Sequence, residues 1–272
     1  MYTFDAEKAT NECVKWIRDW FEKNGKGCNA VIGISGGKDS TVVAALCTAA
    51  LGSERVIGIT LPNGIQADIN DSIEIIDWLH INGMEINIHD VSKAMFDQMK
   101  NIKIYGIHSS LMSKTCDHSP LYLMKPELTR QAEENLPPRL RMAALYMVAQ
   151  CCNGRVSNNC NLSENWIGYS TIYGDTAGDF SPISNFTVSE VIQIGRVLGI
   201  PEKFLMKAPS DGLCGKTDEE KIGFTYAVLD KYLRTGEIED MYVRGLIDAM
   251  HIRNSFKHEL MASFKWGEVL AA

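Results

Sequence analysis

The residues best suited to chemistry form one short run between an apolar segment and an Ala- and Leu-rich segment. This order predicts a strand, a tight glycine turn and the N-terminus of a helix. Backbone N–H groups at such a terminus attract an anion, and glycines let a phosphate come close. An ordinary packed turn is the alternative, but packing does not require Lys-Asp-Ser after the glycines. The run comprises Gly33, Ile34, Ser35, Gly36, Gly37, Lys38, Asp39 and Ser40.

The acidic residue of this run indicates a metal. Asp39 is a carboxylate among predicted phosphate donors, which is favourable mainly if a divalent cation lies between it and the phosphates. Glu164, at the end of the polar stretch 158–164, is a candidate second carboxylate for magnesium. The alternative for Glu164 is a helix cap, which such polar stretches often form.

Basic and acidic groups further along the chain suit a second ligand. Arg139 and Arg141 are predicted at the start of a helix, where guanidinium groups bind phosphate or carboxylate, although a solvated basic turn is equally compatible. Two Gly-Asp steps place Asp175 and Asp179 where they can accept hydrogen bonds from ribose or an amine. Alone, these steps indicate only a turn. Ser210, before a predicted helix, either contacts a nucleotide or caps a turn.

Strand and helix alternate along the first hundred residues, which predicts right-handed crossovers and a doubly wound parallel α/β sheet. Ligands of such sheets bind beyond the carboxyl ends of the strands, where the glycine run lies. Prolines predict a loop-rich region over 100–137. Strands are predicted at 28–34, 55–61 and 84–88, and helices at 4–24, 41–51, 68–81, 91–99, 140–152, 187–198, 218–233 and 239–251.

Composition limits the function classes. The chain has 272 residues, 45% of them hydrophobic, with a net charge of -7, which is typical of a soluble globular protein and atypical of a general nucleic-acid binder. We expect one domain over 1–272. No apolar run approaches the roughly 20 residues that cross a bilayer, and the N-terminus lacks the layout of a signal peptide, so we expect a cytoplasmic protein without a membrane partner.

Residues 35–40 resemble the Ser-Gly-Gly-x-Asp-Ser signature of the ATP pyrophosphatases, which cleave ATP between the α and β phosphates. Three further motifs follow in order: Asn-x-x-x-Arg-x-Arg-Met at 135–142, Tyr-Gly-Asp-x-x-Gly-Asp at 173–179, and Pro-Ser-x-x-Leu-x-Gly-x-Thr-Asp-Glu at 209–219. Together they resemble the ammonia-dependent NAD synthetases over essentially the whole chain.

This resemblance implies an adenine nucleotide alpha hydrolase-like α/β fold in a homodimer, with the dinucleotide at the subunit interface. It implies adenylation of deamido-NAD by ATP with Mg²⁺, followed by displacement of AMP by ammonia to give NAD. With no glutaminase region visible, ammonia is expected free or from a separate partner. By position, residues 33–40, Asn159 and Ser210 would bind ATP, Asp39 and Glu164 the metal, and Arg139, Asp179 and Lys257 deamido-NAD, with Asp39 and Asp175 catalytic.

Four positions depart from that family's pattern: Asn159 replaces a Thr, Ile172 and Val188 each replace a Lys, and Phe256 replaces the His of a His-Lys pair. Losing cations near a polyphosphate weakens binding unless another lysine substitutes, for which the candidates are Lys38, Lys207 and Lys216. Two other functions therefore stay open: a related ATP pyrophosphatase acting on another acid, such as a related nucleotide, and a nucleotide-binding paralogue without catalysis.

Overall fold

A four-stranded parallel sheet forms the centre of the protein, whose computed structural model describes residues 2–101, 128–207, 218–259 and 261–264. The strand order β3-β2-β1-β4 confirms the predicted doubly wound parallel fold. β2 and β3 lie on one side of β1, and β4 lies on its other side, so β1 and β4 flank a topological switch point. The strands are β1 (Asn29–Gly33), β2 (Val56–Thr60), β3 (Asn82–Glu85) and β4 (Gly154–Val156).

Helices cover both faces of the sheet. Alternate residues of β1 face opposite cores: Ala30 and Ile32 pack in a cluster with α1, α2 and α7, whereas Val31 packs in a cluster with α5. The helices are α1 (Ala6–Asn24), α2 (Lys38–Leu51), α3 (Ile69–Leu79), α4 (His89–Lys100), α5 (Arg130–Cys151), α6 (Leu162–Ile167), α7 (Val188–Val197), α8 (Glu202–Leu205), α9 (Asp218–Ile222), α10 (Tyr226–Thr235) and α11 (Met241–Asn254). A 3₁₀ turn, Ser255–His258, follows α11.

The helix α5 differs most from the sequence prediction. It begins at Arg130, ten residues before the predicted start, and runs through Pro137 and Pro138. A proline inside a helix costs roughly 3 kcal/mol or more, because it removes a hydrogen bond and crowds the preceding turn. Here Thr129 caps the first turn by accepting from Ala132, and Pro137 is buried. Tertiary packing therefore overrides the local signal.

Smaller differences follow from backbone pairing. The strand predicted at 84–88 lies at Asn82–Glu85; Ile86 still donates to the carbonyl of Thr60 at 2.9 Å, and Ile88 is already the N-cap residue of α4. The helix predicted over 218–233 is two helices, interrupted at Gly223 and restarted by the cap Thr225. None of the helices in the described ranges has the length and apolarity needed to span a membrane.

Candidate active site

The loop after β1 enters α2 with its N-terminus open. Gly37 is the N-cap residue and has no side chain to cap the helix, so the first N–H groups point toward a ligand site. The hydroxyls of Ser35 and Ser40 lie 3.1 Å apart, and Ser40 Oγ accepts from the N–H of Ser35 at 3.2 Å. The serines, predicted as phosphate donors, therefore also hold the shape of the loop.

A close approach requires glycine in this loop. Gly36 has φ +80°, and a Cβ at this position would lie 3.2 Å from the Cβ of Asp71. Because the backbone is left-handed and Asp71 lies close, any residue with a side chain at position 36 would be strained. The turn is thus shaped by α3 as well as by its own sequence.

Two carboxylates meet at the switch point between β1 and β4. The Asn161 side chain donates to Asp39 Oδ1 at 3.1 Å and accepts from the N–H of Glu164 at 3.0 Å. The Glu164 carboxylate accepts in return from the N–H of Asn161, completing a capping box on α6. Glu164 is therefore both a helix cap and a neighbour of Asp39, so the two alternatives from the sequence coexist.

One cation accompanies these two carboxylates. Lys38 Nζ lies 2.9 Å from Asp39 Oδ2, and the lysine is buried, with only 6% of its surface exposed. Burial acts to lower the pKa of Lys38, but the Asp39 and Glu164 carboxylates outweigh it and raise that pKa. Burial first, and then Asp39, raise the pKa of Glu164, so the carboxylates repel each other more than Lys38 compensates.

This donor set fits a magnesium ion. Mg²⁺ is usually held by one or two carboxylates, with phosphates and water completing its octahedron. In the described ranges no three His, Cys, Asp or Glu side chains form a metal cluster, and the pair Asp39 and Glu164 would be the protein ligands of such an ion. A cation there would relieve the repulsion that raises the pKa of Glu164.

Asn159 links the ends of the two strands at the site. Its side chain donates to the carbonyl of Gly33 at 3.1 Å and accepts from the hydroxyl of Ser157 at 2.8 Å. Its amide therefore holds the start of the phosphate loop. Asn159, which was predicted to bind ATP, therefore lies at the loop, but its amide oxygen and nitrogen are hydrogen-bonded to the protein.

Tyr226 is a site residue that the sequence did not indicate. Its side chain is 5% exposed, and its hydroxyl has no hydrogen-bond partner in the described ranges. Burial first, and then Glu164, Asp218 and Asp39, raise the pKa of this phenol. As the first residue of a short amphipathic helix, Tyr226 resembles an ordinary core aromatic in the sequence, so no local signal could have revealed it.

Val188, where the resemblance expects a lysine, belongs to the core. It is 8% exposed and packs in one apolar cluster with Tyr226, Ile167 and Leu229. A lysine ammonium in this cluster would carry a large desolvation cost. The departure at Val188 is therefore matched by the packing around it.

The predicted pair of arginines diverges. Both lie inside α5 and not at its start, which corrects the sequence prediction. Arg139 is exposed and donates to the carbonyl of Ile172 at 3.1 Å, whereas Arg141 donates to the carbonyl of Leu61 at 2.9 Å. Burial lowers the pKa of Arg141. Only Arg139 keeps a surface position from which it can reach a solute.

The two Gly-Asp aspartates stabilise turns. Asp175 accepts from the N–H of Thr171 at 3.1 Å, and Asp179 accepts from the N–H of Val156 at 2.8 Å. Asp179 also borders a groove of about 740 Å³ that is lined on one side by Trp16 of α1. No hydrogen bond in the described ranges joins either aspartate to Asp39 or Glu164.

Two other lysines considered for the site, Lys257 and Lys207, are bonded within the protein. Lys257 donates to the carbonyls of Gly168 and Ser170 at 2.7 and 2.9 Å. Lys207 lies 2.7 Å from Asp68 and 2.6 Å from Asp71. Of the two substitute candidates that the structure describes, Lys38 contacts the carboxylate pair and Lys207 does not. Ser210 and Lys216 lie outside the described residues.

Comparison with known proteins identifies the lineage of this arrangement. The profile of the family described as NAD synthase matches residues 9–265. An NH3-dependent NAD(+) synthetase from Carboxydothermus hydrogenoformans is 37% identical over 85% of this chain and 86% of its own. The solved NMN synthetase from Francisella tularensis is 29% identical, with a TM-score of 0.81 over 97% of this chain and all of its own. The NH3-dependent NAD synthetase from Campylobacter jejuni, solved with nitrate ion, is 26% identical, with a TM-score of 0.71 over the same shares.

Proposed function

Because the chain belongs to the NAD synthase family, we propose that it amidates deamido-NAD with ammonia, consuming ATP and releasing NAD, AMP and pyrophosphate. The observation that carries this function is the junction of the open α2 N-terminus with the carboxylate pair of Asp39 and Glu164. This junction provides an anion site and a divalent-cation site side by side, as the attack of a carboxylate on ATP requires.

The first chemical step joins two anions. The nicotinate carboxylate attacks the α-phosphorus of ATP, the bond to the bridging oxygen of the β-phosphate breaks, and pyrophosphate leaves. Donors on residues 33–40 bind the polyphosphate, Asn159 holds the start of this loop through the carbonyl of Gly33, and the buried Lys38 adds a positive charge. Ser210 is proposed as a further ligand from the resemblance alone. Asp39 and Glu164 would hold Mg²⁺, which neutralises phosphate charge when bound.

In the second step, ammonia attacks the acyl carbon and AMP leaves with the former carboxylate oxygen. A carboxylate near that carbon can accept the proton that the nitrogen loses. Asp175 is our candidate for this role; its Oδ2 is held by the N–H of Thr171, which orients the carboxylate.

The acid substrate would be held by Arg139 and Asp179. The groove beside Asp179, about 740 Å³, is of a size that accommodates a nucleotide, and the Trp16 and Trp20 indoles on its wall offer stacking surfaces. We place the partner subunit of a homodimer against this side of the molecule. We propose a cytoplasmic location, where ATP is supplied.

A second substrate is favoured by one observation. The structure resembles an NMN synthetase with a TM-score of 0.81, against 0.71 for an NH3-dependent NAD synthetase. The same chemistry on the mononucleotide acid would give nicotinamide mononucleotide. Since Ile172 and Val188 provide no cation, a substrate with fewer phosphates is compatible with the site.

The two substrates are separated by one assay. Purified protein is given ATP, Mg²⁺ and ammonium with either deamido-NAD or the mononucleotide acid, and AMP and the amide are measured. We expect NAD and AMP in equal amounts, with kcat/KM higher for deamido-NAD. A higher kcat/KM for the mononucleotide assigns the second function. ATP binding in calorimetry without AMP from either acid contradicts both.

A further inference from the structure

The end of α6 and the chain that follows it are held by side chains from the C-terminal helix and its 3₁₀ turn. The last carbonyls of a helix have no hydrogen-bond partner within the helix. The carbonyls just after α6 also need donors. Three side chains of α11 and its 3₁₀ turn supply donors, and we call them the C-terminal clamp: His251, Asn254 and Lys257. His251 Nδ1 lies 2.9 Å from the carbonyl of Trp166, Asn254 donates to Ile167 at 2.8 Å, and Lys257 donates to Gly168 at 2.7 Å and Ser170 at 2.9 Å.

The spacing of the clamp residues explains how one element reaches four carbonyls. Residues three apart lie on one face of a helix, so His251, Asn254 and Lys257 form a single row. The row lies along the main chain at the C-terminal end of α6. Its members bind the carbonyls of Trp166, Ile167 and Gly168 in that order. A row of donors matched to a row of acceptors fixes the direction of that chain segment.

The contact is close as well as polar. The rings of Trp166 and His251 stack with centroids 3.9 Å apart and planes within 8°. Gly168 has φ +65°, and a Cβ there would lie 2.2 Å from the Cβ of Asn254. The clamp can reach Ile167 only because position 168 lacks a side chain.

The other end of α6 lies in the active site. Asn161 caps it and donates to Asp39, and Glu164 lies in its first turn. The helix has six residues, so its ends are only about 9 Å apart. A rotation or shift of the clamped end therefore displaces the carboxylate of Glu164 relative to Asp39.

We propose that the C-terminal clamp positions Glu164 against Asp39, and that Lys257 acts through α6 and not by contact with substrate. Two of the three N–H groups of the Lys257 ammonium already donate to main-chain carbonyls, which fixes its position against the chain after α6. This inference rests on the proposed function for its catalytic consequence, but not for its structural one.

The structural consequence is tested without any substrate. Hydrogen–deuterium exchange of the free protein is followed for the peptide 162–170 in Asn254→Ala and Lys257→Met. We expect exchange there to accelerate about tenfold in both variants, while 188–197 changes less than twofold. Lys231→Met, which removes a half-exposed lysine 3.6 Å from Glu239, is the control and leaves 162–170 unchanged.

The catalytic consequence is tested by steady-state kinetics with the acid that wild type turns over. In both clamp variants we expect kcat to fall about tenfold and the Mg²⁺ concentration for half-maximal rate to rise about tenfold, with the KM of the acid within twofold. Lys257→Arg, which keeps a cationic donor, should retain at least half of kcat.

Two outcomes overturn the proposal. If Lys257→Met raises the acid's KM tenfold while exchange of 162–170 is unchanged, Lys257 binds substrate. If both clamp variants lower the melting temperature while exchange and the Mg²⁺ dependence stay at wild-type values, the clamp is merely structural. An enzyme inactive on both acids would refute the proposed function and still leave the exchange result to decide the clamp.

Discussion

Two capping boxes with the same sequence signal have opposite electrostatic surroundings. At α6, Asn161 and Glu164 form a complete box; at α7, Thr187 and Glu190 form another. Burial raises the pKa of each glutamate, but hydrogen bonds from Arg234 and Tyr2 hold the pKa of Glu190 below its usual value. Glu164 meets the Asp39 carboxylate, which adds to burial and raises its pKa further.

The charges around each glutamate decide whether it serves only the fold or also the site. Both glutamates satisfy a helix N-terminus, which stabilises the fold. Only Glu190 has a full counter-charge, since Arg234 Nε donates to its Oε1 at 2.7 Å. A capped carboxylate that lacks its own arginine and faces a second carboxylate is available for a cation.

Asp39→Asn should have the largest effect. It removes one carboxylate from the proposed metal site and keeps the side-chain shape, so we expect AMP formation to fall at least about a thousandfold. The circular dichroism spectrum should match that of wild type. Asp97→Asn, which changes an exposed aspartate paired with Lys100, is the control and should keep wild-type turnover. Wild-type turnover in Asp39→Asn would remove the metal role from this residue.

Glu164→Gln should separate turnover from stability. The amide oxygen can still accept from the N–H of Asn161, so the capping box persists, while the buried charge beside Asp39 is lost. We expect AMP formation to fall about a hundredfold and the free energy of unfolding in urea to stay equal or rise. A loss of more than about 2 kcal/mol would mean that the charge itself stabilises the fold.

Glu190→Gln should do the reverse. Removing the charge leaves Arg234 without its buried partner, so we expect the free energy of unfolding to fall by about 2 kcal/mol, with kcat within twofold. Because the folded pKa of Glu190 is lowered, its contribution is complete above 4.5, the ordinary value, and is lost as pH falls through the folded value. The stability difference between wild type and Glu190→Gln should therefore shrink below pH 4.5. A difference that persists to low pH contradicts this assignment.

Tyr226→Phe should have the smallest effect on the fold. The hydroxyl has no partner in the described ranges, so its removal leaves no group unpaired. We expect the free energy of unfolding to stay within about 1 kcal/mol of wild type, and to rise if it changes. Tyr232→Phe, which deletes a hydroxyl 2.9 Å from Asp248, is the matched control and should lose stability. A larger loss in Tyr226→Phe than in the control would show that the Tyr226 hydroxyl has a partner.

Local signals in the sequence predicted the parts of the fold that local interactions determine. The apolar run of β1, the glycine turn with Asp39 and the helix cap at Glu164 follow from residues within a few positions of one another. The parallel order of the strands followed from their alternation with helices.

The remaining features depend on contacts distant in sequence. α5 continues through Pro137 and Pro138 because of packing, which the prolines themselves oppose. The orphaned hydroxyl of Tyr226 and the carbonyl contacts of Lys257 arise where elements separated by 60 or more residues meet, and no sequence period encodes such meetings. The direction of each site side chain had to come from the structure.

The central claim is that the acid is activated as an adenylate before ammonia attacks. Deamido-NAD labelled with ¹⁸O in its nicotinate carboxylate tests this most directly, with AMP analysed by mass spectrometry after turnover with ATP, Mg²⁺ and ammonium. The account predicts one ¹⁸O atom in each AMP, because the bond that ammonia breaks lies between the acyl carbon and that oxygen. NAD formed together with unlabelled AMP would contradict it.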